Sequence, residues 1–200
     1  MTLASQTTTS GKKLAIYPSL RGQRVFITGG GTGIGAAMVS AFAQQGAQVA
    51  FVDMQKNDSE QLSIDIAAEG HLKPWWRVCD VRDITHMQQV IAEAISELGD
   101  FSTLVNNVAR DDRHTLDSVT PEYWDERMAV NQRPAFFAIQ SIVPSMQRLN
   151  GGSVINLGST GWQTKSGGYP CYAIAKSSVN GLTRGLAESL GASKIRINTV

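Results

Sequence analysis

An α/β fold is predicted, with a parallel sheet doubly wound by helices on both faces to give three layers. Three observations carry the prediction. Short β-branched apolar runs alternate with segments of helical apolar spacing along the chain. The first run ends in a glycine-rich turn, TGGGTGIG (28–35), that opens the first helix. Right-handed crossovers leave few ways to order such strands, and 3-2-1-4-5-6 leads among them.

The elements follow in order. RVFIT (24–28) reads as a buried strand, and GIGAAMVSAFAQQGA reads as a helix that Gly46 ends. QVAFVD (48–53) is a second strand closed by an acid, and 59–70 is a helix stopped by Gly70. Strand three is 73–80, helix three 83–100 and strand four 102–107. A long helical region runs from Pro121 to Leu149, with Pro134 and Pro144 expected to kink or interrupt it. Strand five is 152–159, the next helix 170–190, and 194–200 begins a sixth strand. MTLASQTTTSGKK (1–13) is polar and Ser/Thr-rich, and 1–19 is expected to form a disordered tail before a single dinucleotide-binding domain of the Rossmann type over 20–200. The sixth strand is followed by no turn, helix or seventh strand. A raw strand at a sheet edge is a liability, so the sequence is expected to be a fragment of a longer product.

The totals exclude several classes. With 42% apolar and 18% charged residues and a net charge of +1, nothing argues for a nucleic-acid or membrane partner. No apolar run is long enough to span a bilayer, and the opening residues, without an apolar stretch, do not read as a secretory signal. The two cysteines, Cys79 and Cys171, match no metal-ligand spacing or disulfide framework, and the expected location is a reducing cytoplasm. No metal site is expected.

The glycine turn suits a dinucleotide. Gly29 can take the sharp turn off the strand. Gly33 leaves a pyrophosphate unobstructed at the helix N-terminus, and Gly35 lets helix and sheet pack closely. Thr32 and Ile34 complete the expected cofactor loop. A second register, on Gly31, Gly33 and Ala36, also fits the spacing. Asp53 ends the second strand, where a carboxylate accepts from ribose hydroxyls and repels the extra phosphate of NADP, so NAD is the expected cofactor.

SGGYPCYAIAKSS (166–178) holds two tyrosines and a lysine. Residues four apart share a helix face, and Tyr172 and Lys176 meet that condition. Tyr169 lies about 10 Å from Lys176 along the axis, which leaves it a wall or packing role. A free tyrosine titrates near ~10, and a neighbouring ammonium favours the phenolate. Tyr172 is therefore the expected acid/base. Ser159, at the crevice end of the fifth strand, can hydrogen-bond the reacting oxygen.

Together, TGGGTGIG, NNVA (106–109), Asn131 in VNQRPAFF, Ser159 and YAIAK (172–176) resemble the ordered motifs of the short-chain dehydrogenases/reductases, from about residue 20 onward. The resemblance implies an oxidoreductase with Tyr172 as acid/base and with Lys176 binding the nicotinamide ribose and shifting the tyrosine. Ser159 orients the substrate, and Asn131 holds a water in the proton relay. It further implies adenine contacts from Asp80 and Val81, a cofactor-side loop at Asn107, and a homotetramer or homodimer built through 121–149 and 170–190. Val108-Ala109 departs from the usual Ala-Gly and is expected to crowd the nicotinamide ribose slightly.

For the substrate, RDDRH (110–114) follows the fourth strand with two acids, two guanidiniums and an imidazole. Such a set either binds several sugar hydroxyls or forms a solvated loop whose charges pair with each other. IYPSL (16–20), DDRH (111–114) and YWDERM (123–128) resemble tracts of bacterial aldose 1-dehydrogenases of the D-xylose type, which implies oxidation of an aldose to its lactone. Asp112, Arg113, His114 and Ser159 are then the expected substrate contacts, with Trp162 either stacking on the sugar or packing. A ketoreductase or alcohol dehydrogenase for a non-sugar compound is the alternative enzyme, and a non-catalytic nucleotide-binding regulator the alternative class.

Overall fold

The computed structural model describes residues 15–165 and 167–200. Of the expected tail 1–19, residues 1–14 lie outside the described residues, and 18–20 form a short 3-10 turn. The strands are β1 (Arg24–Thr28), β2 (Gln48–Asp53), β3 (Trp75–Val78), β4 (Thr103–Asn106), β5 (Gly152–Asn156) and β6 (Ile195–Thr199). They pair in parallel in the order β3-β2-β1-β4-β5-β6, as the alternating pattern predicts. The helices are α1 (Gly33–Gln44), α2 (Lys56–Ala68), α3 (Ile84–Leu98), α4 (Pro121–Asn131), α5 (Arg133–Arg148) and α6 (Pro170–Gly191).

Side chains alternate across each strand, so every strand feeds two cores. In β1, Phe26 joins Leu104, Val154 and the apolar faces of α3 and α5. Val25 and Ile27 join Val39 of α1 and Ile66 of α2 on the other face. Phe26 is fully buried and meets Phe101 edge-to-face at 5.7 Å, a burial worth about 2–3 kcal/mol. Trp75 and Trp76 divide in the same way, one against each core, so both pack.

The region 121–149 is interrupted beside Pro134, as expected, and corrects the reading only at Pro144. It is two helices, parted at Gln132 (φ −127°, ψ −59°). Pro134 sits in the first turn of α5, just past the break, where its missing N–H lacks a helical partner in any case. α5 continues through Pro144, whose ring leaves the Gln140 carbonyl without its helical donor. The turn at Gln132 sets α4 apart as a separate element, packed on both α5 and α6.

Candidate active site

The order reverses between β1 and β4, so the loops leaving these strands diverge and open a crevice at their C-terminal ends. The glycine loop forms one wall. Gly29 and Gly33 have φ of +69° and +55°, a region that side chains disfavour. A Cβ on Gly35 would stand 1.7 Å from the Gly29 carbonyl oxygen, so α1 packs against the turn only with glycine there. A Cβ on Gly33 would meet nothing within 4 Å and would project into open space. Glycine is required for packing at Gly31 as well, where a Cβ would stand 2.5 Å from Ser59 Oγ.

Two residues brace this loop. Asp53 Oδ2 accepts from the Gly31 N–H at 2.8 Å and its Oδ1 accepts from Gln55 N–H at 2.9 Å. Asn107 Nδ2 donates to the carbonyls of Gly29 (2.8 Å) and Thr28 (3.2 Å). A cavity of about 580 Å³ runs along the wall, within the size range of small-ligand and cofactor sites. Gly29, Thr32, Ile34, Gly35, Asp53, Asp80, Val81 and Asn107 line it, and Tyr172 lines its far end. Val108 and Ala109 also border it. The Asp80 carboxylate is held by the Arg82 guanidinium at 2.5–3.0 Å, which keeps it below the usual carboxylate range against the opposing effect of burial.

On α6, Tyr172 and Lys176 lie one turn apart, the Lys176 Nζ 5.9 Å from the Tyr172 ring centre. Tyr169 is nearly buried and stacks edge-to-face on Tyr172 at 5.6 Å. Lys176 is 3% exposed and donates to the Leu157 carbonyl at 2.6 Å. Burial pushes its ammonium down from the ordinary lysine range to about 8. Ser159 is half-buried in the turn after β5, where its Oγ accepts from Gly161 N–H at 3.0 Å.

Asn131 is the last residue of α4 and is 4% exposed. Its amide grips the loop after β4 at both ends: Oδ1 accepts from Arg110 N–H at 2.7 Å and Nδ2 donates to the Arg110 carbonyl at 3.0 Å. Asn131 and Lys176 share a small cavity of about 20 Å³, room for one water.

The expected substrate set divides. Asp112 and His114, both half-buried, are engaged by protein partners. Asp112 accepts from the Tyr123 hydroxyl at 2.9 Å and pairs with Arg127, which is 2% exposed. Burial works against the Asp112 carboxylate, yet the Tyr123 hydroxyl and the Arg127 and Arg110 charges hold it below the usual range. His114 does not present a donor to a sugar. Its Nε2 accepts from Cys171 N–H at 3.0 Å, and its Nδ1 lies 2.9 Å from both the Asp112 carbonyl and the Tyr123 hydroxyl. Arg113 is exposed with its guanidinium 4.3 Å over the Tyr169 ring, and Trp162 is half-buried in the turn after β5. Instead, Arg110 and Asp111 of the same loop line the large cavity.

Tyr123, Glu126 and Arg127 were absent from the expected site. Glu126 pairs with Arg82, Arg110 and Arg127. Tyr123 and Arg127 stand four apart on α4, a signal that the spacing carries but does not distinguish from a solvated helix face. Cys171 is buried, which pushes its thiol up and leaves it a packing residue. Among the described residues no cluster of three metal-ligating side chains occurs, and no helix is long and apolar enough to cross a membrane.

A glycine loop at the switch point of a parallel sheet, facing a tyrosine and a buried lysine one turn apart, is the arrangement of a dehydrogenase. Residues 23–200 match the short chain dehydrogenase family, and the chain belongs to it and is an oxidoreductase. The "Probable galactose dehydrogenase" of Rhizobium meliloti (strain 1021) is 44% identical over 92% of this chain and 72% of its own length. D-xylose 1-dehydrogenase of Caulobacter vibrioides is 44% identical over 93% of this chain and 73% of its own. A solved short-chain dehydrogenase/reductase from Serratia marcescens is 34% identical with a TM-score of 0.85, over 92% of this chain and 74% of that one.

Proposed function

We propose that the protein is an NAD-dependent aldose 1-dehydrogenase in which Tyr172 is the acid/base. One observation carries the reaction: a single cavity extends from Asp53, through the glycine loop, to Tyr172. The sugar class draws support from two relatives, each 44% identical, whose names specify galactose and D-xylose.

The residues present fit a nicotinamide dinucleotide. The open space at Gly33 and the start of α1 suit a pyrophosphate. Each Asp53 oxygen carries one backbone hydrogen bond and keeps capacity for a ribose hydroxyl. Asp80 and Val81 border the adenine end, and Asn107 holds the loop in shape. When bound, the oxidised nicotinamide supplies the hydride acceptor for C1 of the sugar. Tyr172 takes the proton of the anomeric hydroxyl, so that C1 becomes the lactone carbonyl. Lys176 places a positive charge beside the phenol oxygen as it loses or gains that proton, and binds the nicotinamide ribose. Ser159 orients the reacting oxygen, and Asn131 holds the loop at Arg110 and a relay water beside Lys176. Arg113 and Trp162 remain the proposed sugar contacts from the expected set. The working form proposed is a homodimer or homotetramer assembled on α4, α5 and α6.

The test is NADH formation over a panel of pentoses and hexoses, repeated with NADP. A saturable rate with one aldose, faster with NAD, and its loss by at least about a thousandfold in Tyr172→Phe are expected, general acid–base and charge effects combining. Turnover only of non-sugar alcohols would overturn the sugar reading, and an active Tyr172→Phe the acid/base one.

A further inference from the structure

Helix α6 starts without a side-chain cap of its own. Pro170 occupies its first turn, and Tyr169, at the capping position, makes no capping bond. The leading N–H groups of a helix need outside partners, and Pro170 has no N–H. The Cys171 N–H is therefore the first to be satisfied, and its acceptor is His114 Nε2 at 3.0 Å, 57 residues away. A ring nitrogen that accepts is unprotonated, so the His114 proton belongs on Nδ1. There it faces the Tyr123 hydroxyl and the Asp112 carbonyl, each at 2.9 Å. Tyr123 passes its own proton to Asp112 Oδ2, and the buried Arg127 neutralises that carboxylate. A second tie joins the same segments, from His114 N–H to the Gly168 carbonyl at 2.8 Å.

We infer that His114 is a positioning residue for Tyr172. It caps α6 from the loop after β4, and Arg127, Asp112 and Tyr123 hold its ring in the accepting tautomer. Tyr172 follows Cys171 directly, inside the turn that this cap secures. Lys176 stands a turn further on and is tied separately to Leu157. Loss of the cap therefore lets the phenol wander while the ribose-binding lysine stays in place. The inference rests on the reading of Tyr172 as acid/base.

His114→Leu keeps bulk and removes the acceptor, whereas the side-chain oxygen of His114→Gln can still accept from Cys171. In the full chain, His114→Leu should lower kcat about tenfold, the rate equivalent of the free energy in one helix cap, with KM for NAD unmoved. Amide hydrogen exchange over 170–174 should quicken in the same variant. His114→Gln should restore most of both. A parental kcat in His114→Leu, a His114→Gln as slow as His114→Leu, or equal losses in kcat and NAD affinity would overturn the inference. If His114→Leu does not fold, His114→Gln and Tyr123→Phe decide it. Gln must keep slow exchange at 170–174, and Tyr123→Phe, which removes one of the two groups at Nδ1, must quicken it and lower kcat at constant KM. Tyr172→Phe run in parallel separates the two ideas. An active Tyr172→Phe sinks the acid/base reading, while exchange still reports whether His114 caps the helix. An inactive one beside a fully active His114→Leu sinks the positioning role alone.

Discussion

Lys176 carries its ammonium where little water reaches it, with one carbonyl at 2.6 Å in return. The cost of that burial shows in the fall of its pKa from 10.5 to about 8. The unfolded chain holds this proton up to the higher value, so between pH 8 and 10.5 it binds more protons than the folded one. Stability attributable to Lys176 must then rise with pH across that window, and the full penalty, roughly 3 kcal/mol, applies below it. Lys176→Met removes the penalty along with the hydrogen bond to Leu157. We expect the variant to be inactive yet more stable than the parent at pH 7, with the advantage shrinking as pH rises to 10. Urea melts of both proteins across this range measure it. An advantage that grows with pH would contradict the burial argument. The residue pair itself was legible from the four-residue spacing of Tyr172 and Lys176. The pairing of Arg110 with Asp112 inside RDDRH was among the readings offered, but the ties of Asp112 to α4 and of His114 to α6 were not, because no local pattern announces them.

At the scale of elements, β1 and α1 meet through a turn that tolerates almost no side chain. TGGGTGIG could be read in two registers from spacing alone. Packing makes Gly35 indispensable, because a Cβ there would stand 1.7 Å from the Gly29 carbonyl oxygen. Gly35→Ala must push α1 off the sheet or open the turn. Backbone shifts of this kind cost about 1–3 kcal/mol or more. The expected outcome is a thermal midpoint several degrees lower and, if the proposed anion site is the turn itself, NAD affinity at least about tenfold weaker. Calorimetry and NADH fluorescence titration check both, and an unchanged affinity would place the pyrophosphate elsewhere. The stretch 121–149 shows the opposite case. Pro134 marks the break in the sequence itself, which falls at Gln132 two residues before it, whereas α5 runs on through Pro144.

For the whole molecule, strand order followed from alternation and handedness because these rules act on every crossover alike, and the sheet obeys them from β3 to β6. Association between copies obeys no such rule. It depends on which apolar side chains a finished surface leaves in solvent. Helices α4, α5 and α6 leave Trp124, Phe136 and Ile174 at 38%, 45% and 44% exposure, although α5 and α6 also carry much of one core. Burying Phe136 against a second copy would contribute about 2 kcal/mol on each side, and a charge at that position would cost more than it returns. We therefore expect the protein to elute as a dimer or tetramer, and Phe136→Glu to shift the mass measured by light scattering toward the monomer. The same variant should keep its far-ultraviolet circular dichroism, since Phe136 lies outside both cores. A monomeric parent, or a Phe136→Glu protein of parental mass, would remove this face from the assembly. Because α6 also carries Tyr172, a monomeric variant that lost kcat while binding NAD normally would tie the assembly to the alignment of the acid/base.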